Sequence, residues 1–274
     1  MGKALTLLHA VVNHPTGVTS PGLAGILVGA LATELNYENR YALDQDQRIT
    51  IDWIVDNLSP IALSPRTELF RAQVGVLTTT SGKQPGMPVI SGTEVQTAEQ
   101  SKSGRAPLGS TRMLPASRFV SEGRANARGI AVLYCASDVE TALLESRGQV
   151  GSAVTVSKFF NPVQLTLADL RLTTIPTVPI DIPTFKKCLV EAVGFTFSKP
   201  VVGDAERYEY TLTQRITDEI KAKGYHGIVF SSSQGAGDNY AFFDTNSLTN
   251  MLSEMYQIDS VKINYSLLPS TPTV

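Results

Sequence analysis

The sequence predicts a fold that combines α-helices with β-strands, and three regions of the chain carry that prediction. Residues 1–65 contain apolar residues at helical spacing. Residues 130–148 are typical of a buried strand followed by a capped helix, and residues 208–244 of a helix, a strand, a turn and a second strand. At 274 residues, the chain is long enough for one large domain or two small ones.

The composition excludes several classes of protein. Hydrophobic residues make up 42% of the chain, charged residues 18%, and the net charge is −2, as in a soluble globular protein. A charge so near zero gives no reason to expect nucleic acid or an anionic membrane as a partner. No apolar run approaches the roughly 20 residues that span a bilayer. The two cysteines have no metal-ligand spacing and predict a reducing, cytoplasmic setting.

The first predicted elements are two amphipathic helices within residues 1–65. Their apolar residues recur at helical spacing in two runs, one after Pro21-Gly22 and one before Pro60: Leu23, Ile26, Leu27, Leu31 and Leu35, then Ile51, Ile54, Val55 and Leu58. We predict an N-terminal helical subdomain over residues 1–65. It either binds a partner or forms a homodimer, or it is a helical pair packed on the main core, which is the commoner arrangement.

A strand and a long loop follow. Residues 67–77, TELFRAQVGVL, predict a strand with Arg71 in its middle. Residues 78–112 are rich in Ser, Thr, Gly, Pro and Gln and show no period, so we predict a long flexible loop. Such a loop is either an active-site lid or plain disorder. The last residues, 267–274, are predicted to be a disordered tail.

A loop, a strand and a helix within residues 123–148 carry three polar side chains at fixed distances. IAVLYCA (130–136) predicts the strand, a capping box of Ser137 and Glu140 opens the helix, and Gly148 ends it. Arg124 lies ten positions before Tyr134, which lies eleven before Glu145. This set suits a negatively charged, flat, sugar-bearing ligand such as a dinucleotide.

Each of these three residues also has an ordinary structural interpretation. Glu145 points away from the apolar face of its predicted helix, so periodicity alone favours a solvated glutamate. Tyr134 fits a core position on a strand, and Arg124 fits a surface loop. Their joint spacing, rather than any single residue, favours a site.

The second block, residues 208–244, places serines at the end of a buried strand. A helix ending near Lys223 with Gly224 as its cap is followed by the strand GIVF (227–230), the serines 231–233, the turn QGAGDN and a returning strand NYAFF. Hydroxyls at this position either contact a ligand or satisfy the turn backbone. QGAGDN lacks the residues of a phosphate loop, and the three histidines form no ligand pair, so no metal site is predicted.

Three segments together resemble the RES-domain family, named for its arginine, glutamate and serine. They are LFRAQVG (69–75), GRANARGIAVLYCASDVETALLES (123–146) and TQRITDEIKAKGYHGIVFSSSQGAGDNYAFFD (213–244), and the similarity spans residues 66–245 in order. We predict a RES domain over residues 66–266. The resemblance implies an α+β fold like that of ADP-ribosyltransferases, with a mixed, split β-sheet, flanking helices and an NAD-binding cleft.

The resemblance also implies a set of site residues. A carboxylate beside the ribose would stabilise an oxocarbenium-like state, guanidinium groups would bind pyrophosphate or ribose oxygens, and an aromatic ring would stack on nicotinamide. The serine would hold the glutamate or contact the ligand, and the asparagine would position its loop. Carried over by position, the catalytic residues are Glu145, Arg124 and Tyr134, and the NAD-binding residues are Arg71, Arg124, Asn126, Tyr134 and Ser232, with Ser231 or Ser233 as alternatives to Ser232.

The function implied by the resemblance is that of an NAD⁺-degrading toxin, a glycohydrolase or phosphorylase with NAD⁺ as substrate and no metal. The alternative is an ADP-ribosyltransferase that modifies a protein target, and a catalytically silent binding module is disfavoured because every site residue is present. A protein inhibitor, either an antitoxin or an immunity protein, is expected as a partner. The site of action is predicted to be the cytoplasm, either of the producing cell or of a cell into which the protein is delivered.

Overall fold

The structure is a computed structural model that describes residues 19–38, 41–80, 103–115, 120–173, 182–200 and 209–262. The predicted tail over residues 267–274 and residues 81–102 of the predicted loop lie outside these ranges. In chain order the elements are α1 (Ser20–Tyr37), α2 (Gln45–Asp56), β1 (Ser59–Leu63), β2 (Glu68–Val74), β3 (Leu77–Thr80), β4 (Ser103–Ala106), α3 (Ser110–Met113), β5 (Leu133–Ala136), α4 (Val139–Glu145), β6 (Ala153–Phe160), β7 (Leu165–Asp169), α5 (Ile182–Ser198), α6 (Tyr210–Ala222), β8 (Gly227–Ser231), β9 (Asp238–Phe242) and β10 (Thr249–Gln257).

Both predicted N-terminal helices are present, and local signals set where they begin. The Thr19 side chain accepts a hydrogen bond from the backbone N–H of Gly22 at 3.4 Å, and Pro21 lies in the first turn of α1, where its missing N–H has no intrahelical partner to lose. Asp44 and Gln47 form a capping box at the start of α2.

The N-terminal helices share one core with the rest of the chain. With α5 and α6 they bury a cluster of apolar side chains against one face of the main sheet, among them Leu27, Ile54, Phe185 and Ile216. The segment is also not helical throughout, because β1 lies in the main sheet, antiparallel to β7. The predicted boundary between residues 65 and 66 stays a prediction. Apolar residues from both sides of it belong to the same hydrophobic core.

Eight strands within the described residues form one mixed sheet, in the order β1-β7-β8-β9-β5-β2-β6-β10. Among these strands, β7 and β8 are the parallel pair, and the other neighbours are antiparallel. Between β2 and β5 a single residue pair, Phe70 with Ala136, joins the two halves of the sheet. The predicted α+β fold with a mixed, split sheet is therefore confirmed.

The predicted loop over residues 78–112 is wrong at both of its ends. β3 and β4 pair antiparallel as a separate two-stranded sheet, with Leu77 opposite Ala106, and α3 follows. Threonine at positions 78–80 is β-branched and favours a strand, a local preference that the low-complexity composition of the region concealed. The neighbouring strand predicted over 67–77 is shorter, because Gly75 at φ 124° ends β2.

Each end of helix α4 lies one residue away from its predicted cap. The N-cap of α4 is Asp138, whose carboxylate accepts from the backbone N–H of Thr141 at 2.7 Å, while Ser137 donates to the same carboxylate. At the other end the left-handed residue is Arg147, at φ 53°, rather than Gly148. A Cβ on Gly148 would lie 2.5 Å from the terminal methyl group of Ile258, which would have to move to admit it.

Two helical glycines provide a matched test of how closely α5 packs on the sheet. A Cβ on Gly29 in α1 would meet nothing within 4 Å, whereas a Cβ on Gly194 in α5 would lie 2.5 Å from the Leu170 carbonyl oxygen. We expect Gly29→Ala to raise the free energy of unfolding by about 0.5–1 kcal/mol, because alanine loses less backbone entropy in a helix. We expect Gly194→Ala to lower it by about 1–3 kcal/mol, because α5 must shift. Chemical denaturation checks both, and effects of the same sign would contradict the packing.

Candidate functional site

A cavity of about 310 Å³ opens where the two halves of the sheet diverge. Strand β2 provides Arg71, strand β5 provides Tyr134, and helix α4 provides Glu145. Arg124 and Asn239 also line it, together with the aromatic rings of Phe197, Tyr210 and Phe230. The structure thus brings to one cavity four of the residues that the sequence predicted for the site.

The Glu145 carboxylate accepts two hydrogen bonds, both at the same oxygen. The Ser232 hydroxyl donates to Oε1 at 2.6 Å, and the Asn239 side-chain amide donates to Oε1 at 2.7 Å. No hydrogen bond to Oε2 from the described residues is present. The interpretation of Glu145 as a solvated helix residue is therefore wrong, because its side chain lines the cavity and its Oε1 accepts two hydrogen bonds from the protein.

Ser232 is the serine that contacts Glu145. Its Oγ accepts from the backbone N–H groups of Gln234 and Gly235 at 3.0 and 3.1 Å while it donates to the carboxylate. The Ser231 hydroxyl instead accepts from the backbone N–H of Leu172, and Ser233 lines the cavity directly. Two donors on Oγ polarise the Ser232 hydroxyl and strengthen its bond to Glu145.

The turn after Ser232 docks on the start of α4 through its glycines. The Gly237 N–H donates to the Thr141 hydroxyl at 3.2 Å, and the Asp238 N–H donates to the Ser137 hydroxyl at 2.9 Å. A Cβ on Gly237 would lie 2.1 Å from the Asp138 carboxylate. The glycines of QGAGDN therefore serve close packing, which fixes Ser232 relative to the helix that carries Glu145.

The Asp138 carboxylate accepts hydrogen bonds from the two hydroxyls that receive the turn, those of Ser137 and Thr141. Its burial opposes ionisation, but hydrogen bonds from Thr141 and Ser137 outweigh that effect and hold its pKa below the usual value. A charged cap at this position also suits the positive end of the helix dipole. The junction between α4 and the turn is thus formed around an ionised carboxylate.

The Tyr134 hydroxyl is enclosed by the Gly-Arg-Ala-Asn loop. It donates to Asn126 Oδ1 at 2.7 Å and accepts from the Ala125 N–H at 2.9 Å. Burial raises the pKa of Tyr134, although the bond from Ala125 opposes the shift, so the phenol is a neutral donor. A Cβ on Gly123 would lie 2.7 Å from this hydroxyl, which explains the glycine.

Asn126 positions the loop and does not line this cavity. Its side-chain amide donates to the carbonyls of Ser121 and Ala127, and the residue is only 3% exposed. Gln214 of α6 ties the same loop down by donating to the carbonyls of Gly123 and Asn126, each at 2.9 Å. The hydrogen bonds of Asn126 thus support its predicted role in positioning the loop. They do not support a contact between Asn126 and a ligand in this cavity, because Asn126 does not line it.

The two arginines are held by backbone carbonyls and an aromatic ring. Arg124 donates to the carbonyls of Thr196 and Lys199 near the C-terminal end of α5, and its guanidinium lies 5.5 Å from the centroid of the Tyr210 ring. Arg71 donates to the Tyr134 carbonyl at 2.9 Å across the split in the sheet. Burial lowers the pKa of both arginines, yet guanidinium groups stay charged at neutral pH.

Asn239, Tyr210, Phe197 and Phe230 are site residues that the sequence predictions missed. Asparagine is depleted in strands, so Asn239 within β9 was a detectable anomaly of residue type. The aromatic residues carried no such signal, because each fits an ordinary core pattern. Cys135 also lines the cavity, but burial raises the pKa of its thiol to about 12, which makes it a poor nucleophile near neutrality.

The RES-domain family pattern matches residues 99–257, which is more than half of the chain. The protein belongs to the RES-domain family, as the sequence predicted. The match begins later than the predicted similarity at residue 66 and ends later than residue 245. It contains Arg124, Tyr134, Glu145 and Ser232, and it excludes Arg71 of β2.

One solved structure to which the chain shows similarity is the crystal structure of the M. tuberculosis MbcT–MbcA toxin–antitoxin complex. The identity is 12%, the alignment covers 79% of this chain and 94% of that chain, and the TM-score is 0.41. No curated protein matches the chain. In the parts of the chain that the structure describes, no helix is both long and apolar enough to cross a membrane, and no group of three potential metal ligands occurs.

Asn239→Asp would place a second carboxylate against Glu145. Two like charges so close disfavour double ionisation, so the folded variant retains a proton to a higher pH than the unfolded chain does. We expect the variant to be less stable than the parent protein at about pH 7, and the deficit to shrink as the pH falls towards about 4.

Urea denaturation across that pH range checks this prediction. Asn239→Ala removes the donor without adding a charge, so its loss of stability relative to the parent protein should depend less on pH. If Asn239→Asp lost the same free energy of unfolding at every pH, the geometry of the pair would be contradicted.

Proposed function

We propose that this protein consumes NAD⁺ by breaking the bond between nicotinamide and its ribose. The observation that supports this most is the Glu145 carboxylate, held on one oxygen by Ser232 and Asn239 in a cavity that also contains Arg71 and Arg124. Membership of the RES-domain family points to the same substrate, since the family resemblance implies an NAD-binding cleft.

The dimensions and charges of the cavity suit part of a dinucleotide. Its volume of about 310 Å³ lies within the range of small-molecule sites. A second cavity of about 420 Å³ adjoins it and shares Arg71, Gln73, Gly123 and Tyr134 with it. The two arginines are suited to the pyrophosphate, because a guanidinium binds phosphate oxygens with paired hydrogen bonds.

The proposed reaction requires stabilisation of positive charge on the ribose. When the nicotinamide–ribose bond breaks, its electron pair passes to the pyridinium nitrogen, nicotinamide leaves neutral, and the ribose becomes oxocarbenium-like. The free oxygen of Glu145 would stabilise that charge electrostatically. Water then attacks the anomeric carbon and loses a proton, which yields ADP-ribose.

The other reactions predicted from the sequence use the same donor site. Phosphate in place of water gives ADP-ribose 1-phosphate, and a protein side chain gives an ADP-ribosylated protein. Hydrolysis is the reaction that we propose first. We also expect a protein inhibitor as a partner, because unrestrained loss of NAD⁺ harms the cell in which it occurs. Action in the cytoplasm, where NAD⁺ is available, belongs to the same proposal.

Glu145→Gln is the variant that tests this proposal most directly. It keeps the size of the side chain and an oxygen for Ser232 and Asn239 but removes the negative charge. We expect the release of nicotinamide from NAD⁺ to fall by at least about 100-fold, as when one preorganised electrostatic group is removed. Chromatographic quantification of nicotinamide and ADP-ribose measures this, and Glu140→Gln, an exposed change on the same helix, is the matched control.

The same assay separates the candidate reactions. Added phosphate should leave the product as ADP-ribose if the enzyme is a hydrolase, and labelled NAD⁺ with cell lysate should label no protein. Accumulation of ADP-ribose 1-phosphate or of a labelled protein would reassign the acceptor. No loss of NAD⁺ under any of these conditions would contradict the proposed function.

Ser232 and Ser231 form a second matched pair. Ser232→Ala removes one of two donors to Glu145, so we expect kcat to fall by about 10-fold with little change in KM, since a hydrogen bond to a charged group contributes about 1.5–3 kcal/mol. Ser231→Ala should leave both constants near those of the parent protein, because its hydroxyl faces Leu172. Equal losses in the two variants would show that Ser232 does not position Glu145.

A further inference from the structure

The side chain of Arg124 extends from a loop and contacts two helices that are distant from it in sequence. Its guanidinium donates to the carbonyls of Thr196 and Lys199 at the C-terminal end of α5, and it lies 5.5 Å from the centroid of the Tyr210 ring. Tyr210 is the first residue of α6. The carbonyls at the end of a helix attract a cation, and so does the face of an aromatic ring. Both helices therefore stabilise the same positive charge.

Helix α6 contacts the loop of Arg124 at a second point. Gln214 lies four residues after Tyr210, so the two side chains extend from the same face of the helix. The Gln214 amide donates to the carbonyls of Gly123 and Asn126, on either side of Arg124. Gln214 thus fixes the backbone of the loop, whereas Tyr210 contacts the arginine side chain.

The contact between Tyr210 and Arg124 lies in the candidate site. Both residues line the cavity that contains Glu145. Burial removes water from the Arg124 guanidinium and lowers its pKa. A cation over an aromatic ring gains more from the ring when water is excluded than it does at an exposed surface. The ring is therefore placed where it has a measurable effect on the orientation of the guanidinium.

We propose that Tyr210 is a positioning residue, whose ring holds the Arg124 guanidinium in the orientation that binds the phosphate oxygens of the dinucleotide. The inference rests on the proposed function, and it gives Tyr210 no part in bond cleavage. The competing explanation is that Tyr210 only packs at the start of α6, which would affect stability but would not depend on the charge of Arg124.

Calorimetric binding of ADP-ribose tests this role. Tyr210→Leu keeps an apolar side chain and removes the ring, so we expect it to weaken the binding of ADP-ribose by about 10-fold. Tyr210→Phe keeps the ring, so its binding should stay within about twofold of that of the parent protein. Tyr225→Leu is the matched control, because Tyr225 is also half-buried, lies just beyond the other end of α6 and does not line the cavity.

A double-mutant cycle with Arg124→Gln separates positioning from packing. If the ring acts through the guanidinium, Tyr210→Leu should weaken binding no further once Arg124 has been replaced. If the ring only packs at the start of α6 or contacts the ligand itself, the loss should be the same with and without Arg124. Melting temperatures establish that each variant is folded at the temperature of the binding experiment.

The outcomes separate this inference from the proposed function. Unchanged binding by Tyr210→Leu, an equal loss in Tyr210→Phe, or the same loss in both Arg124 backgrounds would overturn the role of Tyr210. Cleavage of NAD⁺ by the parent protein would still support the proposed function in that case. A parent protein that neither binds ADP-ribose nor consumes NAD⁺ would contradict both.

Discussion

The split between strands β2 and β5 is the constraint on which the site depends. A continuous sheet satisfies its backbone groups strand by strand, but these two strands share one residue pair, Phe70 with Ala136. The Arg71 side chain donates to the Tyr134 carbonyl across the gap and thereby replaces part of the missing ladder. The divergence opens a cavity between the halves, and the residue that bridges the gap brings a positive charge to it.

The position of Glu145 follows from a second set of contacts on the other side of that cavity. The turn after β8 can approach α4 only because Gly237 has no side chain, and this approach brings Ser232 within hydrogen-bonding distance of the carboxylate. Asn239 reaches the same oxygen from β9. Among the described residues, hydrogen bonds reach only one of the two oxygens, an asymmetry that suits the proposed role of Glu145 in facing a developing positive charge.

The sequence predicted those parts of the fold that depend on local pattern. The helices α1, α2 and α6 follow from apolar period and caps, and strands β5, β8 and β9 from short apolar runs. The errors also have local causes. The cap of α4 moved by one residue because Ser137 and Asp138 are both good caps, and only Asp138 reaches Thr141 in the folded chain. The strands β3 and β4 were missed because each is short and finds its partner on the other side of a long intervening segment.

The sequence by itself determined the family and predicted the arginine, tyrosine and glutamate of the candidate site, because ordered motifs and short-range periodicity are properties of neighbouring residues. It did not determine that Glu145 faces a cavity, which serine contacts it, or that Asn239 and Tyr210 belong to the site. Those facts arise from residues that are 86 to 94 positions apart, namely Arg124 with Tyr210, and Glu145 with Ser232 and Asn239. Such contacts are set by the sheet order and by the close approach of a glycine turn to a helix, and only the tertiary structure decides them.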